Sequence, residues 1–204
     1  MKTLLQLNTS LFAAGGQSSQ LTDKFVSTWK ANNADAQVIV RDLASNPLPH
    51  LDAEHFLAYI AQPADRTARQ QELAAAADAL IDEIKSVDVI VLGLPMYNFG
   101  APSTLKAYFD RIARAGVTFR YTASGPEGLL TGKKAYIFAT RGGLYAGTPL
   151  DSQTTYVRDF LGFLGITDVE FIYAEGLNMG EPSKQAALAN AQRSESTRLN
   201  SSHA

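Results

Sequence analysis

Five consecutive residues, Pro95-Met96-Tyr97-Asn98-Phe99, bring together an amide, a thioether and two aromatic rings directly after the apolar run Val87-Asp88-Val89-Ile90-Val91-Leu92-Gly93. Such side chains at the end of a strand form a platform for a flat, polar-edged heterocycle. Asn98 offers both a donor and an acceptor to that edge. The same aromatics would serve as core or as a staple for the following helix. A second segment runs from Asn8-Thr9-Ser10 to Gly16-Gln17-Ser18-Ser19. It supplies hydroxyls, an amide, glycines and a helix start, which together can hold a phosphate monoester without cations. Its bland reading is an ordinary N-cap. A third segment, Thr140-Arg141-Gly142-Gly143, has paired glycines that let backbone N–H groups approach a ligand; taken alone it reads more simply as a turn.

Several chemistries are missing from the chain. There is no cysteine, so disulfides, thiolate metal sites and thiol nucleophiles are excluded. No GxxxxGK[ST] motif is present, and no GxGxxG follows the first strand, which argues against a P-loop nucleotidase and a tightly bound dinucleotide. Asn8-Thr9-Ser10 is not the acidic cluster that a phosphoacceptor domain needs. His50 and His55 lack metal-ligand company, and the third histidine is His203; surface or capping roles suit the first two. Net charge is −2 over 204 residues. That excludes a basic nucleic-acid footprint, and no apolar run approaches the ~20 residues of a membrane span. No secretory cleavage pattern follows Met1, and a cytoplasmic protein is the expectation.

The elements that must position these segments alternate between short β-type runs and helical periodicity, which predicts an α/β fold with a parallel sheet covered on both faces. Strands are expected at Lys2–Leu7, Gln37–Asp42, Asp88–Gly93, Lys134–Thr140 and Val169–Tyr173. Helices are expected at Ser18–Asn32, Thr67–Ser86, Pro102–Ala115, Ser152–Leu164 and Glu181–Gln192. A polar, Ala-rich insert precedes the second helix, and Thr118–Leu130 reads as a loop or hairpin. In such sheets ligands bind outside the carboxyl ends of the strands, where the three segments should meet. A hydrophobic fraction of 46% over this length supports one core, so residues 1–192 form one domain. Arg193–Ala204 is polar apart from Leu199, and is set aside as a disordered or artefactual tail.

In order and spacing, these segments resemble the FMN-dependent NADH-azoreductases among the flavodoxin-like quinone reductases. The carrying stretches are Ser10 with Gly16-Gln17-Ser18, Pro95 to Phe99, Ala113-Arg114-Ala115-Gly116-Val117-Thr118-Phe119-Arg120-Tyr121, Gly125-Pro126-Glu127-Gly128, Thr140 to Gly143, and Phe160-Leu161-Gly162-Phe163-Leu164-Gly165-Ile166. The resemblance implies a flavodoxin-like five-stranded parallel sheet in the order 2-1-3-4-5. It implies FMN held non-covalently by Ser10, Gly16, Gln17 and Ser18 at its phosphate and ribityl, and by Pro95, Met96, Tyr97, Asn98, Phe99, Thr140, Arg141, Gly142 and Gly143 around the ring. Asn98, Tyr121 and Phe163 match positions lining the substrate side. The implied reaction is ping-pong transfer of two electrons from NADH or NADPH to quinones or azo compounds, in a homodimer with its active sites at the interface. Hydride transfer to a quinone needs no side-chain acid, so no catalytic residue and no metal is assigned. A flavodoxin-like electron carrier without such turnover is the alternative; the small net charge argues against it. Gly16 departs from the serine many members carry there, which removes one hydroxyl from the phosphate site.

Overall fold

Runs of β-branched and leucine residues bounded by turn formers give the strands of this protein, and amphipathic stretches give the helices between them. The computed structural model describes residues 1–201, with side chains through 194. In chain order the elements are β1 (Thr3–Asn8), α1 (Gln17–Asn32), β2 (Gln37–Asp42), α2 (Ala53–Ile60), α3 (Ala68–Ser86), β3 (Val89–Pro95), α4 (Ser103–Ile112), β4 (Phe119–Thr122), β5 (Gly125–Gly128), β6 (Lys134–Thr140), α5 (Ser152–Phe163), β7 (Asp168–Ala174) and α6 (Glu181–Ser201). Five strands form one parallel sheet, ordered β2-β1-β3-β6-β7. Counted among themselves these are the second, first, third, fourth and fifth sheet strands, as expected. The numbers shift only because β4 and β5 form a separate antiparallel hairpin, which settles Thr118–Leu130 as a hairpin.

The central strand β3 is buried along its whole length, as a parallel strand covered on both faces must be. One face packs on α1 and α6 through Leu21, Phe25, Trp29 and Ala191. The other packs on α3, α4 and α5 through Leu80, Ile84, Leu105, Phe109, Val157 and Leu161. Each such buried side chain contributes about 1.5–3 kcal/mol. Register brings the strand ends level: Asn8 lies beside Gly93, Pro95 beside Thr140, and Thr140 beside Ala174. The loops after β1, β3 and β6 therefore leave from one edge.

Two expectations change. The insert before α3 holds its own helix, α2, whose N-cap Asp52 accepts from His55 N at 2.9 Å. It escaped the periodicity argument because Phe56, Leu57 and Ile60 stay about half exposed, so no core-facing stripe marks it. His55 is buried with Nδ1 2.6 Å from Asp52 Oδ1, a capping role, and His50 is exposed. The last helix runs beyond Gln192 to Ser201. Residues 193–201 of the segment set aside as a tail belong to this helix; the rest, 202–204 with His203, lies outside the described residues. Among the described residues no helix is long and apolar enough to cross a membrane.

Candidate active site

The β1–α1 loop is built around Ser10. Its hydroxyl accepts from Phe12 N at 3.2 Å, and its carbonyl accepts from Ala13 N at 3.0 Å. Thr9 Oγ1 donates to Gly93 O at 2.7 Å, tying this loop to β3. Helix α1 then opens at Gly16 with no side-chain cap and no acidic residue in its first turn. The orphan N–H groups of a helix start normally find a cap; here no side chain caps them among the described residues. Beside them the hydroxyls of Ser18 and Ser19 are buried and have no hydrogen-bond partner among the described residues. A buried hydroxyl without a partner costs about 1–3 kcal/mol, and these two stand at the positively polarised end of a helix. Gly16 is required by packing: a Cβ there would lie 2.0 Å from Ser10 Oγ.

The β3–α4 loop forms a tight reverse turn. Tyr97 N donates to Gly100 O at 3.1 Å, and Gly100 N donates back to Tyr97 O at 3.0 Å. The two residues between, Asn98 and Phe99, both have positive φ, +50° and +61°. This is the two-residue turn that normally takes Asn-Gly. Asparagine tolerates it; phenylalanine does so at a cost of about 1–3 kcal/mol. The strain is held by outside contacts. Gln153 Nε2 donates to Pro95 O at 2.8 Å and to Gly100 O at 3.1 Å, and Ser152 Oγ donates to Phe99 O. Met96 N donates to Thr140 O at 2.9 Å. The result presents Asn98 and Phe99 to solvent, with Phe99 51% exposed and edge-on to Tyr145. The amide of Asn98 has no partner in the protein among the described residues.

These two loops touch. Tyr97 Oη accepts from Leu11 N at 3.1 Å and lies 3.4 Å from Ser10 Oγ. Tyr97→Phe is expected to leave Leu11 N and the Ser10 hydroxyl without this partner, at about 1 kcal/mol. Thermal melting of the ligand-free protein should read that loss as a drop of a few degrees.

The β6–α5 loop holds Thr140 to Gly143 differently from expectation at one residue. Arg141 does not reach toward the other two loops. Its side chain is fully buried, donating from Nη1 to Glu175 Oε1 at 3.1 Å and from Nη2 to Asp151 Oδ1 at 2.7 Å and Thr154 Oγ1 at 3.0 Å. Its N–H donates to Ala174 O and its carbonyl accepts from Leu177 N. Arg141 thus braces the loop, and its charge is cancelled internally. Gly142 and Gly143 donate their N–H groups to nothing among the described residues. A Cβ would lie 2.6 Å from Asn178 Nδ2 at the first and 2.7 Å from Tyr145 Oη at the second, so those side-chain ends would have to shift to admit one.

Tyr121 and Phe163 come together elsewhere. Both pack on Phe119, at ring separations of 5.5 and 4.3 Å. No hydrogen bond, ion pair or ring contact joins this group to the Tyr97–Gly100 turn within the described chain. Ser152, Gln153 and Glu175 support the site yet had no signal in the sequence: the first two simply open the helix expected from Ser152.

The family model described as flavodoxin-like fold matches residues 2–199. The chain belongs to that flavodoxin-like family. It is 55% identical over 192 residues to an FMN-dependent NADH:quinone oxidoreductase of Cellvibrio japonicus, covering 94% of this chain and 96% of that one. It is also 55% identical over 193 residues to FMN-dependent NADH:quinone oxidoreductase 6 of Burkholderia lata, covering 94% and 97%. Among solved structures it is similar to an azoreductase of Bacillus anthracis, with a TM-score of 0.90 at 26% identity over 98% of this chain and 100% of that one. An FMN-dependent NADH-azoreductase from the same organism, solved in complex with FMN, gives a TM-score of 0.86 at 25% identity, covering 98% and 100%. In this flavodoxin-like chain the three loop ends lie at the sheet edge where such folds take ligands.

Proposed function

We propose that this protein is an FMN-dependent NAD(P)H oxidoreductase that reduces quinones and aromatic azo compounds by a ping-pong cycle. The observation that carries the reading is the uncapped start of α1 with the buried, partnerless hydroxyls of Ser18 and Ser19. A phosphate monoester supplies the acceptors those groups lack, and no free cation is needed. The names of the close relatives favour FMN as that phosphate's bearer and NADH as co-substrate. FMN bound there would supply the redox chemistry, two-electron transfer between the nicotinamide and the acceptor.

The chain's own residues bind and orient. Ser10, Gln17 and Ser18 hold the phosphate end. The Met96–Phe99 turn forms one wall of the ring site, and the free N–H groups of Gly142 and Gly143 offer donors to the ring's electron-rich edge. Asn98, with its amide uncommitted, orients the acceptor. Tyr121 and Phe163 stack a flat substrate. Since they stand apart from the turn within one chain, a homodimer that shares its active sites fits the reading, as does a cytoplasmic setting.

Purified protein saturated with FMN should be yellow, bleach on anaerobic addition of NADH and recolour with a quinone. A folded preparation whose spectrum and fluorescence ignore added FMN would sink the proposal. Ser18→Ala is expected to weaken FMN binding about tenfold or more, the effect of one hydrogen bond to a charged group. Asn98→Ala should mainly reduce turnover while FMN stays bound. Equal loss of FMN from both variants would contradict the assignment of Asn98.

A further inference from the structure

Helix α5 opens with Ser152 and Gln153 against the Tyr97–Gly100 turn, and Gln153 is 1% exposed. Its Nε2 carries two hydrogens. Pro95 O, at the entry to the turn, lies 2.8 Å from that nitrogen, and Gly100 O, at the exit, 3.1 Å. One amino group therefore ties both legs of the turn together. Both neighbours are carbonyl oxygens, so the amino end of the amide must face them. Oε1 is left buried with no partner among the described residues. An orphaned acceptor is destabilising. Packing alone does not call for glutamine here, since an apolar side chain of the same length would fill the space without one.

The turn needs an outside hold because Phe99 sits at φ +61° directly after Asn98 at +50°. An Asn-Gly pair would make the same turn without strain. The start of α5 is itself fixed from the far side. Asp151 caps the helix by accepting from Thr154 N at 3.1 Å and is ion-paired with Arg141. We infer that Gln153, assisted by Ser152, is a positioning residue for reduction of the acceptor: it holds the strained turn in the conformation that presents Asn98, and acts on the substrate only through that turn. The kinetic role rests on the proposed redox activity; the hold on the turn does not.

Amide hydrogen exchange of the FMN-free protein, followed by NMR, reads the hold directly. Gln153→Met keeps the length of the side chain and removes both donors. It should speed exchange of the Tyr97 and Gly100 amides about tenfold or more, as loss of two hydrogen bonds predicts, and leave the Val91 amide of β3 unchanged. In the FMN-loaded protein, reduced anaerobically with NADH and mixed with p-benzoquinone, the same variant should slow reoxidation about tenfold or more while the FMN dissociation constant moves less than about threefold. Added to Asn98→Ala, Gln153→Met should change reoxidation less than about threefold, because the group being positioned is gone. Added to Phe99→Gly it should have little effect on exchange or reoxidation, because Asn-Gly holds the turn unaided. Ser152→Ala, at an exposed position, should show the same pattern in smaller size and decides the matter if Gln153→Met does not fold. Unchanged exchange at Tyr97 and Gly100, equal speeding at Val91, parallel loss of FMN and turnover, or a full-sized effect in either background would overturn the inference. A parent protein that takes no electrons from NADH removes the redox reading and the kinetic role with it. Normal turnover in the parent and an unaffected Gln153→Met removes the positioning role alone.

Discussion

Arg141→Met should lower stability by about 3–5 kcal/mol, the effect of breaking a buried ion pair by removing one partner. Methionine fills much of the volume but leaves Asp151 and Glu175 without the cation that neutralises them. Asp151 is 7% exposed and Glu175 14% at the side chain. Glu175 Oε1 also accepts from Tyr145 N and Ala146 N, each at 2.8 Å, so the whole β6–α5 loop hangs on this cluster. Thr154 links it further to Tyr173, with their hydroxyls 2.9 Å apart. Loosening it frees Gly142 and Gly143, and the variant should retain FMN more weakly as well as melt earlier. Urea denaturation of FMN-free protein measures the first effect and fluorescence titration the second. A variant as stable as the parent would show that the loop is held by something other than this ion cluster.

The same cluster sets an acid limit. Burial by itself would raise the Asp151 carboxyl, but hydrogen bonds from Arg141 and Thr154 outweigh it, and its pKa lies below the ordinary 3.8. A carboxyl depressed in the folded state contributes stability that is fully present above its unfolded pKa and is lost as pH falls through the folded value. The cluster therefore holds the loop at neutral pH and weakens below about pH 4. Asp151→Asn removes the charge at every pH, so its difference from the parent should shrink as the buffer is taken from pH 6 toward pH 3. An undiminished difference would place the Asp151 contribution outside this ion cluster.

Gly128→Ala should be comparably damaging for a purely steric reason. A Cβ at Gly128 would lie 2.0 Å from Gly165 N and 2.2 Å from Leu164 C, both backbone atoms that no rotamer change can move aside. The end of β5 rests directly on the turn after α5, and Leu130 N donates to Leu164 O at 2.8 Å just beyond it. Separating the two chains by the needed ångström or more would undock the hairpin and open the Phe119–Phe163 contact. Overpacking of this kind costs about 1–3 kcal/mol and sometimes more. Because Tyr121 rides on the hairpin, quinone turnover should fall more steeply than FMN binding. If turnover and FMN affinity were both unchanged, the hairpin would have no part in the substrate site.

Much of this protein was legible from residue order alone. The β2 and β6 boundaries, the parallel sheet and the three loop segments at one sheet edge follow from period-2 and period-3.6 patterning with its turn signals; the strand order came from the resemblance to flavodoxin-like reductases. These signals are local, and neighbouring residues carry them. The exposed turn Asn98-Phe99 was likewise visible as polar and aromatic side chains where a core would not place them. What the linear chain could not convey is direction and partnership. Arg141 sits between a strand and two glycines, which suits a ligand-facing residue equally well; only the positions of Asp151 and Glu175, 10 and 34 residues away, turn it inward. Helix α2 stayed hidden because its apolar residues do not face this chain's core. The unclaimed hydroxyls of Ser18 and Ser19 and the unclaimed Oε1 of Gln153 are statements about missing neighbours. Sequence specifies which groups can bond, through the chemistry of each residue; whether a partner stands within 3 Å is decided only when distant segments pack, because that distance is set by the sheet, the helices on it and the volumes between them.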